Sequence, residues 1–192
     1  MKVTIKRLIS GIVCAAMTLM LASCGGGETE QQNNNNTAPI QRISPDTLIS
    51  VETAASIANN TMRMSDEGIV DNGRSLTVTY VSEPIGQGDS VSVSIEQFSD
   101  TLSTTDIWND YEYNRISRSD QITVDGIGSA CYIAFPYINV YTRGCYIRIS
   151  AGSGNDENQK NTLINLAAAA AVAVENAIPS EAVDNASDNV IR

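Results

Sequence analysis

Histidine is missing from all 192 residues of this chain. Its absence removes Ser–His and Cys–His nucleophile pairs and the imidazole ligands that most zinc sites use. No G-x-S-x-G, S-x-x-K, G-x-G-x-x-G or P-loop motif is present either. The Gly-x-Gly in "VDGIGS" precedes a strand pattern, so it lacks the helix N-terminus that would hold a phosphate. What remains for catalysis is carboxylate. Asp110 with Glu112 reads as a solvated helix face, and Asp156-Glu157 as charge at a helix end. "SGNDEN" offers oxygen ligands for calcium without the alternating acidic pattern of a dedicated loop. The expectation is a chain with no catalytic residues, no metal and no cofactor.

Basic residues are scarce as well: 12 Lys and Arg stand against 22 Asp and Glu. Three of them (Lys2, Lys6, Arg7) lie in the first 23 residues, where there is no acid, so the remainder carries 9 − 22 = −13. No basic cluster breaks this field, and such a chain repels nucleic acid.

A long apolar run is also lacking. From Leu8 to Leu21 the chain is apolar apart from Ser10, Gly11 and Thr18. Those residues rise only about 21 Å as a helix, short of the roughly 30 Å hydrocarbon core. A positive head, a short apolar middle and the small residues Ala22 and Ser23 describe a secretory signal over 1–23. The next residue is Cys24, and "LASC" at Leu21–Cys24 resembles the lipobox of bacterial lipoproteins. The resemblance implies cleavage before Cys24, a diacylglyceryl group on its thiol, and attachment to the extracytoplasmic face of a membrane. A doubly acylated anchor holds stably where a single chain does not. Residues 24–43 then hold the lipidated cysteine and "GGGETEQQNNNNTAPIQRI", which has too few apolar groups to offset its own ordering entropy. As a coil it spans roughly 25 Å. It is a tether.

Cysteine is sparse, with four in all. Cys14 leaves with the signal and Cys24 takes lipid, so Cys131 and Cys145 remain, in a compartment that permits disulfides. "SACYIAF" and "TRGCYIRIS" both alternate like strands on either side of "PYINVY". A hairpin centred near Ile138 would oppose the two cysteines and allow a cross-strand disulfide. Two buried thiols, or a redox or metal pair, are the alternatives.

Residues 44–178 are enough for one domain with its own core, followed by a flexible tail over 179–192. Ser50 caps a helix whose face carries Val51, Ala54, Ala55, Ala58 and Met62. After the turn-rich "SDEGIVDNG", Leu76, Val78 and Tyr80 alternate with Thr77 and Thr79, and Val91, Val93 and Ile95 alternate in a second strand. Ser103 and Asp106 suggest a capping box before Ile107, Trp108 and Tyr111. Asp125-Gly126 and Gly128 turn the chain into the Cys131 strand. Leu163, Ala167, Ala170, Ala171, Val174 and Ile178 recur at helical spacing up to Pro179. The fold class is α+β, in the order α-β-β-α-β-β-α. About four to six antiparallel strands make the sheet, with amphipathic helices on one face of it.

The "LISVETAA" helix start, the "VDGIGSACY" turn and the closing hairpin followed by a long helix resemble small extracytoplasmic lipoproteins with a PsbP-like α/β/α arrangement. The resemblance covers roughly residues 46–178, carries no catalytic residues, and implies a binding or accessory role. Aromatic residues lean the same way. They are 5% of the chain, yet most of them fall between 98 and 146. Trp108, Tyr111, Tyr137 and Tyr141 are the candidate partner contacts, the last two at the tip of the closing hairpin. The functional expectation is a non-catalytic module for a protein or envelope partner. The alternatives are a small-ligand or lipid carrier with an apolar cavity, and a carboxylate- or metal-dependent enzyme.

Overall fold

The computed structural model describes residues 42–180 and 182–183; the signal, lipidation and most of the tether lie outside them. The class is α+β, built on one seven-stranded sheet in the order β1-β2-β3-β7-β6-β5-β4, antiparallel throughout. The strands are β1 (Met62–Asp71), β2 (Ser75–Ser82), β3 (Val91–Gln97), β4 (Ile122–Thr123), β5 (Ala130–Ala134), β6 (Tyr137–Thr142) and β7 (Cys145–Ala151). The helices are α1 (Pro45–Leu48), α2 (Val51–Ala58), α3 (Thr104–Ile116) and α4 (Glu157–Ala177).

Local chemistry sets the helix starts. Ser50 accepts the Thr53 N–H at 3.2 Å, Asp156 accepts that of Gln159 at 2.8 Å, and Ser103 with Asp106 closes a capping box. Each satisfies donors that have no partner inside the helix. α2 ends at Asn59 in a left-handed conformation, so Met62 belongs to β1 and not to the helical face. Leu163, Leu166, Ala167, Ala170, Ala171, Val174 and Ile178 are all buried, and the alanines let α4 lie close on β6 and β7. α1, α2 and α4 cover one face of the sheet, where Val78, Tyr80, Val93, Ile133, Ile138, Val140, Ile147 and Ile149 join them in the main core. Among the described residues, no helix is long and apolar enough to cross a membrane.

Three expectations change. The segment "PYINVY" is strand β6 rather than a connection, and "SDEGIVDNG" is largely strand β1 with a bulge between Met64 and Ile69. The helices do not share one face, because α3 packs on the other, against Tyr132, Ala134 and Tyr146. The disulfide is the third. Cys131 pairs with Val140 and Cys145 with Thr142, so β6 runs between them. Strands two apart lie about 9.5 Å from each other, beyond the roughly 7 Å that a bridge tolerates. Both cysteines are free, buried thiols whose pKa is pushed up to about 12 by burial. Of the expected tail, Ala182 and Val183 pack against the main core, and residues 184–192 lie outside the described residues.

Candidate functional site

The α3 face carries the aromatic residues singled out in the sequence. Pairing in register places Ala130, Tyr141, Tyr146, Glu96 and Ser75 in one row across β5, β6, β7, β3 and β2. The next row holds Tyr132, Asn139, Arg148, Ser94 and Thr77, and the third Tyr137, Ser150, Ser92 and Thr79. These residues share a face because side chains alternate along each strand and paired positions point the same way.

α3 covers part of this face. Its Tyr111 is 1% exposed and meets Tyr132, Tyr141 and Tyr146 at ring separations of 5.3, 6.0 and 5.7 Å. Trp108, 38% exposed, stacks on Tyr111 at 5.4 Å and meets Tyr141 edge-on at 4.9 Å. The Tyr146 hydroxyl donates to Asn139 Oδ1 at 2.7 Å, and the Tyr141 hydroxyl to the Thr104 carbonyl at 3.4 Å. Burial raises the pKa of Tyr111, Tyr132, Tyr141 and Tyr146. These phenols keep their protons at neutral pH and serve as donors and apolar surface. Trp108, Tyr111 and Tyr141 are therefore brought together, with Tyr111 in the core and Trp108 at the rim. Tyr137 stands apart from them. Tyr137 and Tyr141 lie within β6, not at a hairpin tip.

Beyond α3 the face is polar and open. Thr77, Thr79, Ser92, Ser94 and Ser150 are half-buried, and Thr77 and Thr79 donate to Ser94 and Ser92 at 3.0 and 3.3 Å. Arg148 rises from the central strand β7, exposed, with its guanidinium carbon 3.6 Å from the Tyr137 ring centroid. That contact is a cation–π stack. Arg74 borders the patch from the β1–β2 turn and pairs with Glu96 at 2.9 Å and with Asp110 of α3. Among the described residues every Lys and Arg except Arg143 and Arg148 is in an ion pair. Arg143 instead bonds the Ser180 hydroxyl.

No family model, curated protein or solved structure matches this chain. The site therefore rests on its own geometry. Arg148 went unremarked among the candidate contacts, although a signal for it exists. In "CYIRIS" it is the one charge in an otherwise apolar run, at a position that alternation turns away from the main core.

Proposed function

We propose that the chain is a membrane-anchored extracytoplasmic lipoprotein whose domain is a non-catalytic binding module for a protein or cell-envelope partner. The anchor reading rests on the "LASC" ending and the polar tether after it. The binding reading is carried by one observation: Arg148, exposed on the central strand, is stacked on Tyr137 and has no carboxylate partner among the described residues, in a strongly acidic chain. A planar guanidinium held over a ring is preorganised to take a carboxylate through two hydrogen bonds. The neighbouring Ser and Thr hydroxyls both donate and accept, and Trp108 supplies an aromatic rim. The partner groups that fit are acidic side chains or a chain-terminal carboxylate.

A carrier with an apolar cavity finds less support. Ile133, Ile147, Ile149, Leu163 and Leu166 fill one contiguous cluster between the sheet and α4, and each is 0% exposed. The test is photo-crosslinking in intact cells, with the crosslinking residue at Ser94 on the open face or at Val172, 56% exposed on α4. The Ser94 position should give a discrete adduct that Val172 does not. Equal or absent adducts at both positions would count against this face.

A further inference from the structure

We infer that the β1–β2 turn is a self-modifying site, in which Asn72 loses its side-chain amide to attack by Gly73 and becomes isoaspartate through a cyclic imide, assisted by Asp71 and Ser75. Asn-Gly occurs once in the chain, at 72–73, and both residues are exposed. The reaction closes a five-membered ring between Gly73 N and Asn72 Cγ, atoms that the covalent chain already keeps close. Glycine leaves the approach to its nitrogen open because it has no Cβ, and its φ of +87 here is one that a larger residue adopts only with strain.

Each atom that must change already has its assistant in place. Gly73 N, the nucleophile, donates its hydrogen to Asp71 Oδ1 at 2.7 Å. That carboxylate is ionised at neutral pH, held below its usual pKa by the Gly73 N–H and by Arg42 on its other oxygen. It accepts a proton more readily than water does. Asn72 Oδ1, where negative charge develops as the ring closes, accepts the N–H groups of Arg74 at 3.0 Å and Ser75 at 2.7 Å. Backbone donors fixed on a developing oxyanion stabilise acyl transfer with no reorganisation at the moment of reaction. Asn72 Nδ2, the leaving group, lies 2.9 Å from Ser75 Oγ. The turn is closed by the Asn72 N–H on the Ser75 carbonyl at 3.2 Å, with Asp71 and Leu76 paired directly beyond it. An unfolded chain has none of this.

The step balances. The Gly73 N–Cγ bond forms and the Cγ–Nδ2 bond breaks. Gly73 N gives its proton to Asp71, and the departing nitrogen takes one from the Ser75 hydroxyl and leaves as ammonia. Solvent then returns the Asp71 proton to Ser75. Water opens the imide, at the main-chain carbonyl to give isoaspartate or at the side-chain carbonyl to give aspartate. Isoaspartate lengthens the main chain by one carbon and adds a carboxylate next to Arg74, which ties β3 to α3 through Glu96 and Asp110. The turn that modifies itself is the turn that holds α3.

The experiment incubates the full-length protein in detergent micelles at neutral pH, beside the same protein unfolded in guanidinium chloride. Mass mapping follows the peptide that contains Asn72: loss of ammonia marks the imide, and later uptake of water marks the products. Labelling by an isoaspartate methyltransferase separates isoaspartate from aspartate. Native protein should convert about tenfold faster than unfolded protein, or more, since positioned acid–base groups accelerate such steps by about 10²–10⁴. Asp71→Ala and Ser75→Ala should each slow the native rate towards the unfolded one. Asn72→Gln, which requires a larger ring, should abolish the change. Native conversion no faster than unfolded conversion overturns the inference without recourse to any variant. So does a native rate that neither Asp71→Ala nor Ser75→Ala alters, because the neighbours would then take no part.

Discussion

Arg148 and Tyr111 lie on the same face of the sheet, and their surroundings assign them different work. Tyr111 is enclosed by three other tyrosines and Ile107, so Tyr111→Ala should cost about 3–5 kcal/mol of stability, read from a urea midpoint. Tyr137 has its ring half-buried beneath a guanidinium, and Tyr137→Ala should cost well under that. A Tyr137→Ala variant that unfolds would make the ring structural and weaken the binding reading. The two thiols make a separate prediction. Both should resist alkylation in the native domain and both should react on unfolding without reductant, as mass measurement will show. Their titration adds a pH dependence. An unfolded thiol ionises near 9.0, whereas burial keeps the folded one protonated to about 12. Between those values the unfolded state has released protons that the native state still holds, so stability falls as pH rises through that window. Tyr80, raised to about 12 chiefly by burial, acts in the same direction. Cys145→Ala should flatten the alkaline slope of the unfolding midpoint; an unchanged slope would mean that the thiol does not contribute.

At the scale of elements, what could be read from the sequence depended on how one-sided each segment's surroundings are. β2 and β3 are apolar on the main-core side and hydroxyl-bearing on the other, and their alternation identified them. β6 is covered on both faces, by α4 and by the aromatic group of α3, so Tyr137–Thr142 loses the contrast that marks a half-exposed strand. Pro136 beside it also reads as a turn. β1 is an edge strand with a bulge, and Asp66, Glu67, Ile69, Val70 and Asp71 are all exposed, so it lacks the apolar alternation of a half-buried strand. The capping box at α3 was legible because it is local. Ser103→Ala should therefore lower stability by about 1 kcal/mol, seen as a lower urea midpoint with an unchanged slope. No change would mean that packing alone sets the start of α3. Which face α3 covers is a non-local matter. Tyr132 and Tyr146 sit out of phase with the isoleucines of their strands, and alternation alone does not say which element covers them.

For the whole molecule, the proposal divides three tasks: Cys24 holds the membrane, residues 25–43 give reach, and the domain presents its α3 face. Replacing Cys24 with Ser should release the protein from the membrane fraction and change its processing. A variant that stays bound and is processed normally would sink the anchor reading. Of the candidate contacts, the sequence located the aromatic group but not its depth, because burial of Tyr111 depends on a helix returning across the sheet. It missed Arg148 because an outward arginine in a strand ordinarily means only solvent. The central claim is that the open face around Arg148 is where the partner docks. Arg143 provides the control, as the other described arginine without a carboxylate partner, placed in the β6–β7 turn and off this face. The most direct measurement is the yield of the Ser94 photo-adduct in cells carrying Arg148→Ala or Arg143→Ala at equal protein level. The account expects Arg148→Ala to reduce the adduct at least tenfold and Arg143→Ala to leave it unchanged; equal yields from both variants would contradict it.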